Sequence, residues 1–349
     1  MPAYDNIDAL IGPPMHAVAN AIRGMICAPK GRKLIAADFS QIEARVNPWL
    51  AGEEHVVDAF RAYDRKEGPD IYKVTAAGVY SVPAEAVTKD QRQVGKVATL
   101  ALGFGGGPVA FAKMAKNYAL DVGDVFEPVH ASASDRNLKR AEDGWKQRGK
   151  QTGMSEARWR TAELIKLAWR EANPQTVAMW KALEEAAMSA TREPGETFAV
   201  GTHIRYKKAG SFLWCRLPSG RKLCYPYPRI EMRKMPWGDP EDEPVYRPAL
   251  MYKGVNSVTK KWSDQPAYGG LLMENCTQAV ARDVMVRGMI ALEKSGYEVV
   301  LTVHDEVVNE VDEGFGSIGE VISLITQPVE WAPGLPIAAD GFEAKRYRK

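Results

Sequence analysis

The first clear pattern along the chain is an apolar run close to its start. Residues 33–37 (KLIAA) are apolar apart from the leading lysine. A short run of this kind predicts a buried β-strand. Asp38 follows directly, so the sequence predicts a carboxylate at the C-terminal edge of that strand.

Two β-branched runs near the other end of the chain predict a hairpin. They are residues 298–303 (EVVLTV) and 306–311 (EVVNEV), and only His304 and Asp305 separate them. Two strand-like runs with so short a connection are typical of a tight β-hairpin. With Glu306, the tip carries three consecutive polar groups, which are costly to bury unless they face solvent or bind a ligand.

Helical patterns fill much of the interior of the chain. The clearest covers residues 88–102, where Thr88 and Gln91 can form a capping box and a cluster of glycines follows the last turn. Further helical regions are predicted at 154–191 and 271–294.

The segments between these helices differ in character. Residues 121–153 are polar and are predicted to form a surface insertion. Residues 196–262 break into short strand-like pieces rich in Gly and Pro, with a hairpin turn at Ser219-Gly220. Strands at both ends of the chain favour an α+β fold, in which a discontinuous sheet domain carries a large insertion.

Composition adds the broad class of protein. The chain has 349 residues, of which 45% are hydrophobic and 26% charged, as is typical of a soluble globular protein. No stretch approaches the roughly 18 apolar residues of a membrane span, and the N-terminus lacks the pattern of a signal peptide. The four cysteines have no zinc-like spacing, so we expect buried thiols in a reduced cytosolic protein. They are Cys27, Cys215, Cys224 and Cys276.

Charge is distributed unevenly although the net charge is only +2. Residues 205–261 contain thirteen Lys and Arg against five Asp and Glu, with aromatic residues such as Trp237 interleaved. Basic residues mixed with aromatics suit a nucleic-acid surface. A solvated basic face is the alternative, and this pattern alone does not separate the two.

The carboxylates of Asp38 and Asp305 are candidate metal ligands. An aspartate at a strand end or turn is ordinary turn chemistry, so neither residue is informative alone. If the two met, their repulsion would favour a hard cation such as Mg²⁺. A pair of such ions about 3.5–4 Å apart can support in-line phosphoryl transfer. The spacing in the sequence does not show whether the two residues meet.

A second candidate site lies on the helix predicted at 88–102. Arg92, Lys96 and Leu100 stand four residues apart and share one face, which Phe104 would continue. Two cations followed by two apolar residues suit a nucleoside triphosphate, with the cations at the phosphates. The alternative is an exposed helix face, which suits the two cations better than it suits the apolar residues.

Four motifs in this order resemble those of family A DNA polymerases, the family of bacterial DNA polymerase I and many bacteriophage replicases. Residues 38–45 (DFSQIEAR) look like its first motif, and the pattern from Arg92 to Gly105 looks like its fingers-helix motif. Residues 268–283 (YGGLLMENCTQAVARD) are similar to the helix before the last motif in phage enzymes. Residues 304–306 (HDE) resemble that last motif.

The resemblance implies a role for each carboxylate. Asp38 and Asp305 would be catalytic and would hold two Mg²⁺ ions, or Mn²⁺ in their place. The backbone carbonyl of Phe39 and the side chain of Glu306 would be further ligands. His304 would lie beside the DNA.

It also implies a nucleotide site on the fingers helix. Arg92 and Lys96 would bind the triphosphate, and Lys96 would donate a proton to the pyrophosphate leaving group. Gln41, Leu100 and Phe104 would complete the dNTP site together with Glu43. Glu43 would fill the space of a ribose 2′-OH and so favour DNA over RNA synthesis.

The helix before the last motif would contact the primer terminus. Gln278 would touch the minor groove, where every base presents an acceptor. Glu274 and Arg282 lie four residues to either side on the same face and are candidates for the same surface. An ion pair within the helix is the alternative for Arg282.

Departures from the family's pattern limit what is carried over. Leu100 stands where the family usually has Phe or Tyr, Phe104 where it usually has Tyr, and Glu274 where bacterial members have Asn. Dideoxynucleotide discrimination is therefore not implied. Only 37 residues precede Asp38, so we expect no thumb and no proofreading exonuclease in this chain.

The expected fold is a right-hand polymerase of the α+β class without its thumb. The antiparallel palm would comprise residues 1–57 and 265–349. A mostly helical fingers insertion, 58–264, would lie between them, with the polar segment 121–153 and the basic β-rich stretch 196–262 inside it.

The expected function is template-directed DNA polymerisation on primer–template DNA with dNTPs. The enzyme would act alone or with a companion polypeptide that supplies a thumb or exonuclease, and no membrane partner is expected. The compartment would be the cytoplasm, that of the bacterial host for a phage-encoded protein. The alternative is a decayed polymerase module that serves as a DNA-binding or replication scaffold subunit. An RNA polymerase or primase is disfavoured by Glu43.

Overall fold

A computed structural model describes residues 14–234 and 245–347 of the chain. Residues 235–244, which belong to the predicted basic stretch and include Trp237, lie outside the described residues. The α-helices, in chain order, are α1 (Pro14–Met25), α2 (Ile42–Ala51), α3 (Glu54–Asp64), α4 (Ile71–Tyr80), α5 (Lys89–Leu102), α6 (Pro108–Asn117), α7 (Phe126–Ser132), α8 (Asp135–Gln147), α9 (Glu156–Ala172), α10 (Pro174–Arg192), α11 (Gly269–Lys294) and α12 (Ile318–Ile325).

The strands form three antiparallel sheets, with the orders β11-β1-β10-β9, β2-β3-β4-β5 and β6-β7-β8. Short 3₁₀ helices cover Ala84–Ala86 and Gly149–Thr152. In chain order the strands are β1 (Arg32–Phe39), β2 (Thr197–Val200), β3 (Ile204–Ala209), β4 (Phe212–Arg216), β5 (Lys222–Pro226), β6 (Arg229–Lys234), β7 (Tyr246–Val255), β8 (Trp262–Ala267), β9 (Glu298–Val303), β10 (Glu306–Asp312) and β11 (Ala339–Ala344).

Several local predictions are confirmed. The apolar run 33–37 lies inside β1, and β9 and β10 pair as the predicted hairpin around His304 and Asp305. The helix predicted at 88–102 is α5, capped at Thr88 by the predicted capping box with Gln91. The predicted turn at Ser219-Gly220 connects β4 to β5.

One predicted helix is in fact two helices, and one polar segment contains helices that were not predicted. The helical region 154–191 is two helices, because Pro174 has no N–H to continue α9 and instead begins α10 at its first position. The polar segment 121–153 contains α7 and α8, which both pack on α9. The buried face of α8 is narrow, because it consists only of Asn137, Ala141 and Gly144.

The described residues divide into two compact units. The first holds the chain up to Ile42 together with Ala281–Pro333 and the residues from Ile337 onward. The second holds Glu43–Val280 and Gly334–Pro336. Division into palm and fingers at 57/58 and 264/265 remains a prediction.

The first unit is built on the sheet β11-β1-β10-β9. The central strand β1 pairs along its length with β10 and with β11, and Asp38 lies opposite Glu306 and Asp340 in the two registers. One face buries an apolar cluster of Leu34, Ala36 and Val308 with Tyr347. Helix α12 packs on β1 and β11. The C-terminal end of β1, which carries Asp38, and the turn of the β9–β10 hairpin lie at the same end of this sheet. This end carries the candidate site.

The second unit combines helices with the other two sheets. Helices α4 and α5 pack closely because Gly95 has no side chain: a Cβ there would lie 2.0 Å from the carbonyl oxygen of Tyr72. Helix α10 packs against β2 and β3. A membrane-spanning helix, which needs both length and an apolar composition, is not found among the helices described above.

Candidate active site

Asp38 and Asp305 are brought together at one end of the first unit's sheet. Asp38 lies opposite Glu306 in the β1–β10 register, and the backbone N–H of Phe39 donates to the carbonyl of Asp305 at 3.1 Å. Burial raises the pKa of the Asp305 carboxyl, and the neighbouring charge of Asp38 raises this pKa further. A raised pKa of this origin is the mark of two carboxylates held closer than their repulsion favours.

His304 lies at the tip of the hairpin beside this pair. Its backbone is left-handed, with φ of 57°, which a two-residue turn requires and which is uncommon for residues other than glycine. Its Nδ1 lies 3.0 Å from Oδ1 of Asp305. The contact with His304 lowers the pKa of Asp305 and so partly opposes the effects of burial and of Asp38.

Glu306 and Phe39 extend the site into the core of the unit. Glu306 is buried, and its carboxylate accepts a hydrogen bond from the hydroxyl of Tyr347. The ring of Phe39 is also buried and packs beside Gly288 of α11. Gln41, two residues further on, adopts a left-handed backbone with φ of 54°.

The donor set at this edge fits a hard divalent cation. Two aspartate carboxylates in contact, with like charges that disfavour joint ionisation, are the kind of oxygen ligands that Mg²⁺ prefers. Within residues 14–234 and 245–347, no group of three or more His, Cys, Asp or Glu residues has the arrangement of a metal site. Among the described residues, the candidate cation site therefore rests on the two aspartate carboxylates.

In the second unit, α5 presents the predicted stripe, and its first cation is already paired. Nε of Arg92 lies 2.9 Å from Oδ2 of Asp70, and its guanidinium lies 5.2 Å from the centre of the Tyr72 ring. The other oxygen of Asp70 accepts from the backbone N–H groups of Tyr72 and Lys73 and caps α4. Asp70 thus connects the start of one helix to the cation of the next.

The second cation of the stripe also has an intramolecular partner. Nζ of Lys96 lies 4.7 Å from the centre of the Tyr118 ring, within the range of a cation–π interaction. Both cations predicted for the triphosphate are therefore held in place by residues of this chain. Asp70 and Tyr118 could not be identified as partners from the sequence, because no local pattern connects either residue to α5.

The apolar end of the stripe lines a cavity of about 100 Å³. Leu100 of α5 and Phe104, two residues beyond the end of α5, contribute to its wall, and so does Glu43 of α2. Thr75 and Thr99, whose hydroxyls are 2.9 Å apart, add polar groups. The structure therefore brings together the three residues that the sequence assigned to the sugar and base of a nucleotide.

The C-terminal end of α5 is anchored by two buried donors. The carbonyl of Gly103 accepts from Nδ2 of Asn47 at 3.0 Å and from the indole N–H of Trp180 at 3.2 Å. Asn47 lies one turn after Glu43 on α2. The contact fixes the end of α5 relative to the helix that carries Glu43.

The predicted primer-terminus residues all lie on α11. Gln278 and Arg282 are exposed, and Glu274 is half-buried. Burial raises the pKa of the Glu274 carboxyl. Arg282 donates from Nη1 to the sulfur of Met285 at 3.0 Å, a contact within the helix.

Comparison with known proteins agrees with these features. Residues 6–122 match DNA polymerase family A. The chain is 33% identical over 349 residues to the DNA polymerase of Bacillus phage SP02, an alignment that covers 99% of this chain and 46% of the relative. It is 40% identical over 101 residues to DNA polymerase I of Pseudomonas aeruginosa, which covers 29% of this chain and 10% of that protein.

The fold has a counterpart among solved structures. The POL domain of Pol1 from M. smegmatis, solved in complex with DNA primer–template and dNTP, matches with a TM-score of 0.53 at 16% identity. The match covers 97% of this chain and 44% of that chain. The fold is thus the mixed α+β fold of a polymerase POL domain.

Residues 6–122 thus match DNA polymerase family A, and the whole chain is similar to a phage DNA polymerase. The chain spans about half the length of the phage relative.

Proposed function

We propose that this chain carries the catalytic part of a template-directed DNA polymerase, which adds dNTPs to the 3′-OH of a primer. The observation that supports it most is the contact between Asp38 and Asp305, because two carboxylates are rarely held together without a cation to neutralise them. The match to DNA polymerase family A and the order of the four motifs support the same reaction.

The proposal assigns metal binding to the first unit. Asp38 and Asp305 would hold two Mg²⁺ ions, or Mn²⁺, with the carbonyl of Phe39 and the side chain of Glu306 as further ligands. When bound, such ions lower the pKa of the attacking hydroxyl and stabilise the leaving oxygen. His304 would orient the Asp305 carboxylate through their 3.0 Å contact and would lie beside the DNA.

The proposal assigns the triphosphate to α5. Negative charge spreads over the phosphoryl oxygens in the transition state, and fixed cations stabilise it. Arg92 and Lys96 are such cations. Their contacts with Asp70 and Tyr118 would fix their positions before a triphosphate binds. Lys96 would also donate the proton that the pyrophosphate leaving group needs.

Sugar selection is assigned to the cavity beside α5. Glu43 would occupy the space of a ribose 2′-OH, and Leu100 and Phe104 would contact the sugar and base. Gln41 would complete the dNTP site. Because Leu100 is smaller than an aromatic residue, the contact with the sugar is looser than an aromatic ring would make it.

DNA contact at the primer terminus is assigned to α11. Gln278 is exposed and can donate to the acceptors that every base pair presents in the minor groove. Glu274 and Arg282 would flank this contact. A companion polypeptide that supplies a thumb would add contacts to the phosphates of the duplex. Without it, synthesis would be distributive and steeply inhibited by salt. A phage-encoded enzyme of this kind would work in the host cytoplasm.

Primer extension by the purified chain tests the proposal. With Mg²⁺ and a primer–template, we expect extension with dNTPs and not with NTPs, stronger when a thumb-bearing polypeptide from the same source is added. Glu43→Ala should raise NTP incorporation relative to dNTP by about 10²-fold, because it opens the space of the 2′-OH.

The outcome for an inactive module is different. If neither the chain nor the chain with its companion extends a primer, while DNA binding is retained, the polymerase proposal is wrong. The protein would then serve as a DNA-binding or replication scaffold subunit.

A further inference from the structure

The outer face of the sheet β2-β3-β4-β5 carries a row of cations. Arg205 of β3 lies directly opposite Arg216 of β4, and Arg216 lies directly opposite Lys222 of β5. Cross-strand partners in an antiparallel sheet point to the same face. All three residues are exposed. We call these three residues the cation row.

The strands that carry the cation row contain no acid. Residues 197–226 contain six Lys and Arg and no Asp or Glu. Among the ion pairs formed by the described residues, none involves a member of the row. Like charges directly opposite one another destabilise a sheet. A row of three such neighbours is therefore suited to an anionic ligand, and a ligand with regularly repeated negative charges satisfies it best.

Aromatic side chains lie beside the row on the same face. Trp214 is two residues from Arg216 along β4 and directly opposite Lys207. Its ring centre is 5.6 Å from that of Phe212, and the ring of Phe212 is 6.4 Å from that of Tyr227. Phe212 is 37% exposed and Tyr227 57%. We call these three residues the aromatic cluster.

The opposite face of the sheet is packed, which keeps the outer face in place. Tyr206, Leu213, Cys215 and Tyr225 are all nearly inaccessible to solvent. Helix α10 packs against β2 and β3. The cation row and the aromatic cluster therefore stand on a supported sheet rather than on a loop.

We propose that this outer face binds single-stranded DNA, with phosphates on the cation row and unpaired bases on the aromatic cluster. Charge complementarity identifies a polyanion. The aromatic rings select a single strand over a duplex, because stacked base pairs offer no free face to an exposed ring. This inference extends the proposed polymerase function, for which the unpaired template ahead of the primer is the natural single strand.

Fluorescence anisotropy with a labelled oligodeoxythymidylate of about 20 nucleotides tests the proposal. The variant R205Q/R216Q/K222Q removes the row. The matched control K139Q/K150Q/K181Q removes three exposed lysines on helical elements of the same unit. We expect the row variant to bind about tenfold or more weakly at low salt, and to reduce the salt slope of log K by roughly 2, which is three contacts at about 0.7 each. The control should match the unmodified chain.

The aromatic cluster has its own test. Phe212→Ala should weaken binding of the single strand by about tenfold while leaving binding of the same sequence as a duplex unchanged. Equal binding by the row variant and its control would overturn the proposal and would leave an acidic protein as the partner of this face. Equal losses for single strand and duplex would overturn the choice of a single strand.

The readout is independent of polymerisation. Asp38→Asn should keep full affinity for the single strand, whatever its effect on incorporation. If neither the chain nor the chain with its companion extends primers, yet the row variant loses single-strand binding, the polymerase proposal fails and this inference stands. If the chain extends primers and the row variant binds the single strand like its control, the polymerase proposal stands and this inference fails.

Discussion

The carboxylate pair of the first unit and the cation stripe on α5 differ in how their charges are neutralised. Asp38 and Asp305 are held against one another, and the pKa of Asp305 is raised by burial and by its neighbour. On α5, Arg92 is paired with Asp70 and Lys96 lies over Tyr118. The two carboxylates of the first site repel one another, whereas each cation on α5 already has a partner within the chain.

The difference indicates how each site meets its ligand. A cation at the carboxylate pair would relieve a cost that is present in the folded chain. A triphosphate at α5 would have to compete with Asp70 for Arg92. We therefore expect substitutions at the carboxylates to reduce activity without harming stability. Those at the cations should change both.

The largest expected effect comes from the carboxylate pair. Asp305→Asn should lower kcat for dNTP incorporation by on the order of 10³-fold or more, because it removes a metal ligand. In a chelator the same variant should melt at the same temperature as the unmodified chain or higher, because the repulsion is gone. Asp312→Asn is the control, since Asp312 lies at the far end of β10, the strand that follows Asp305, and is 77% exposed. A large fall in Tm for Asp305→Asn would contradict the stored repulsion.

A smaller effect is expected at the paired cation. Arg92→Gln should weaken dNTP binding by roughly 10- to 100-fold, the range for losing a charge-assisted contact to phosphate. It should also lower stability by up to about 1 kcal/mol, since the partly exposed ion pair with Asp70 is lost. Pre-steady-state incorporation and thermal melting measure the two effects. If Arg92→Gln were as stable as Asp305→Asn, the two sites would not differ in their effect on stability.

The competition between Asp70 and the triphosphate can be tested at Asp70 itself. Asp70→Asn keeps a good N-cap for α4 but removes the negative charge from Arg92. We expect dNTP to bind about three- to fivefold more tightly, the equivalent of a partly exposed ion pair. Weaker binding would show instead that Asp70 is needed to position Arg92.

The smallest effect is expected beside Lys96. Tyr118→Leu should weaken dNTP binding by about two- to fivefold, because the aromatic face under the ammonium group is lost. Tyr118→Phe keeps that face and should match the unmodified chain. Equal effects of the two substitutions would show that the hydroxyl, and not the ring, matters.

Much of the fold could be predicted because its signals are local. The strand that ends near Asp38, the hairpin around His304 and Asp305, and the capping box of α5 each follow from a few neighbouring residues. The helix break at Pro174 was not predicted, because the helical pattern of apolar residues continues on both sides of the proline. The helices within 121–153 were missed because they bury few apolar residues.

The contacts that complete the candidate sites could not be predicted in this way. Asp70 and Arg92 are 22 residues apart and meet only because α4 packs on α5 through Gly95. The cation row depends on the register of three strands, and a shift by one residue would turn its members to the other face. Such contacts follow from tertiary packing rather than from any local pattern.

The central claim is that Asp38 and Asp305 form a cation site for nucleotide addition. Single-turnover incorporation of one dNTP, measured against Mg²⁺ concentration for the unmodified chain, Asp38→Asn and Asp312→Asn, tests it most directly. We predict Mg²⁺-dependent incorporation that Asp38→Asn abolishes at every Mg²⁺ concentration and Asp312→Asn leaves unchanged. Incorporation by Asp38→Asn equal to that of Asp312→Asn would contradict the claim.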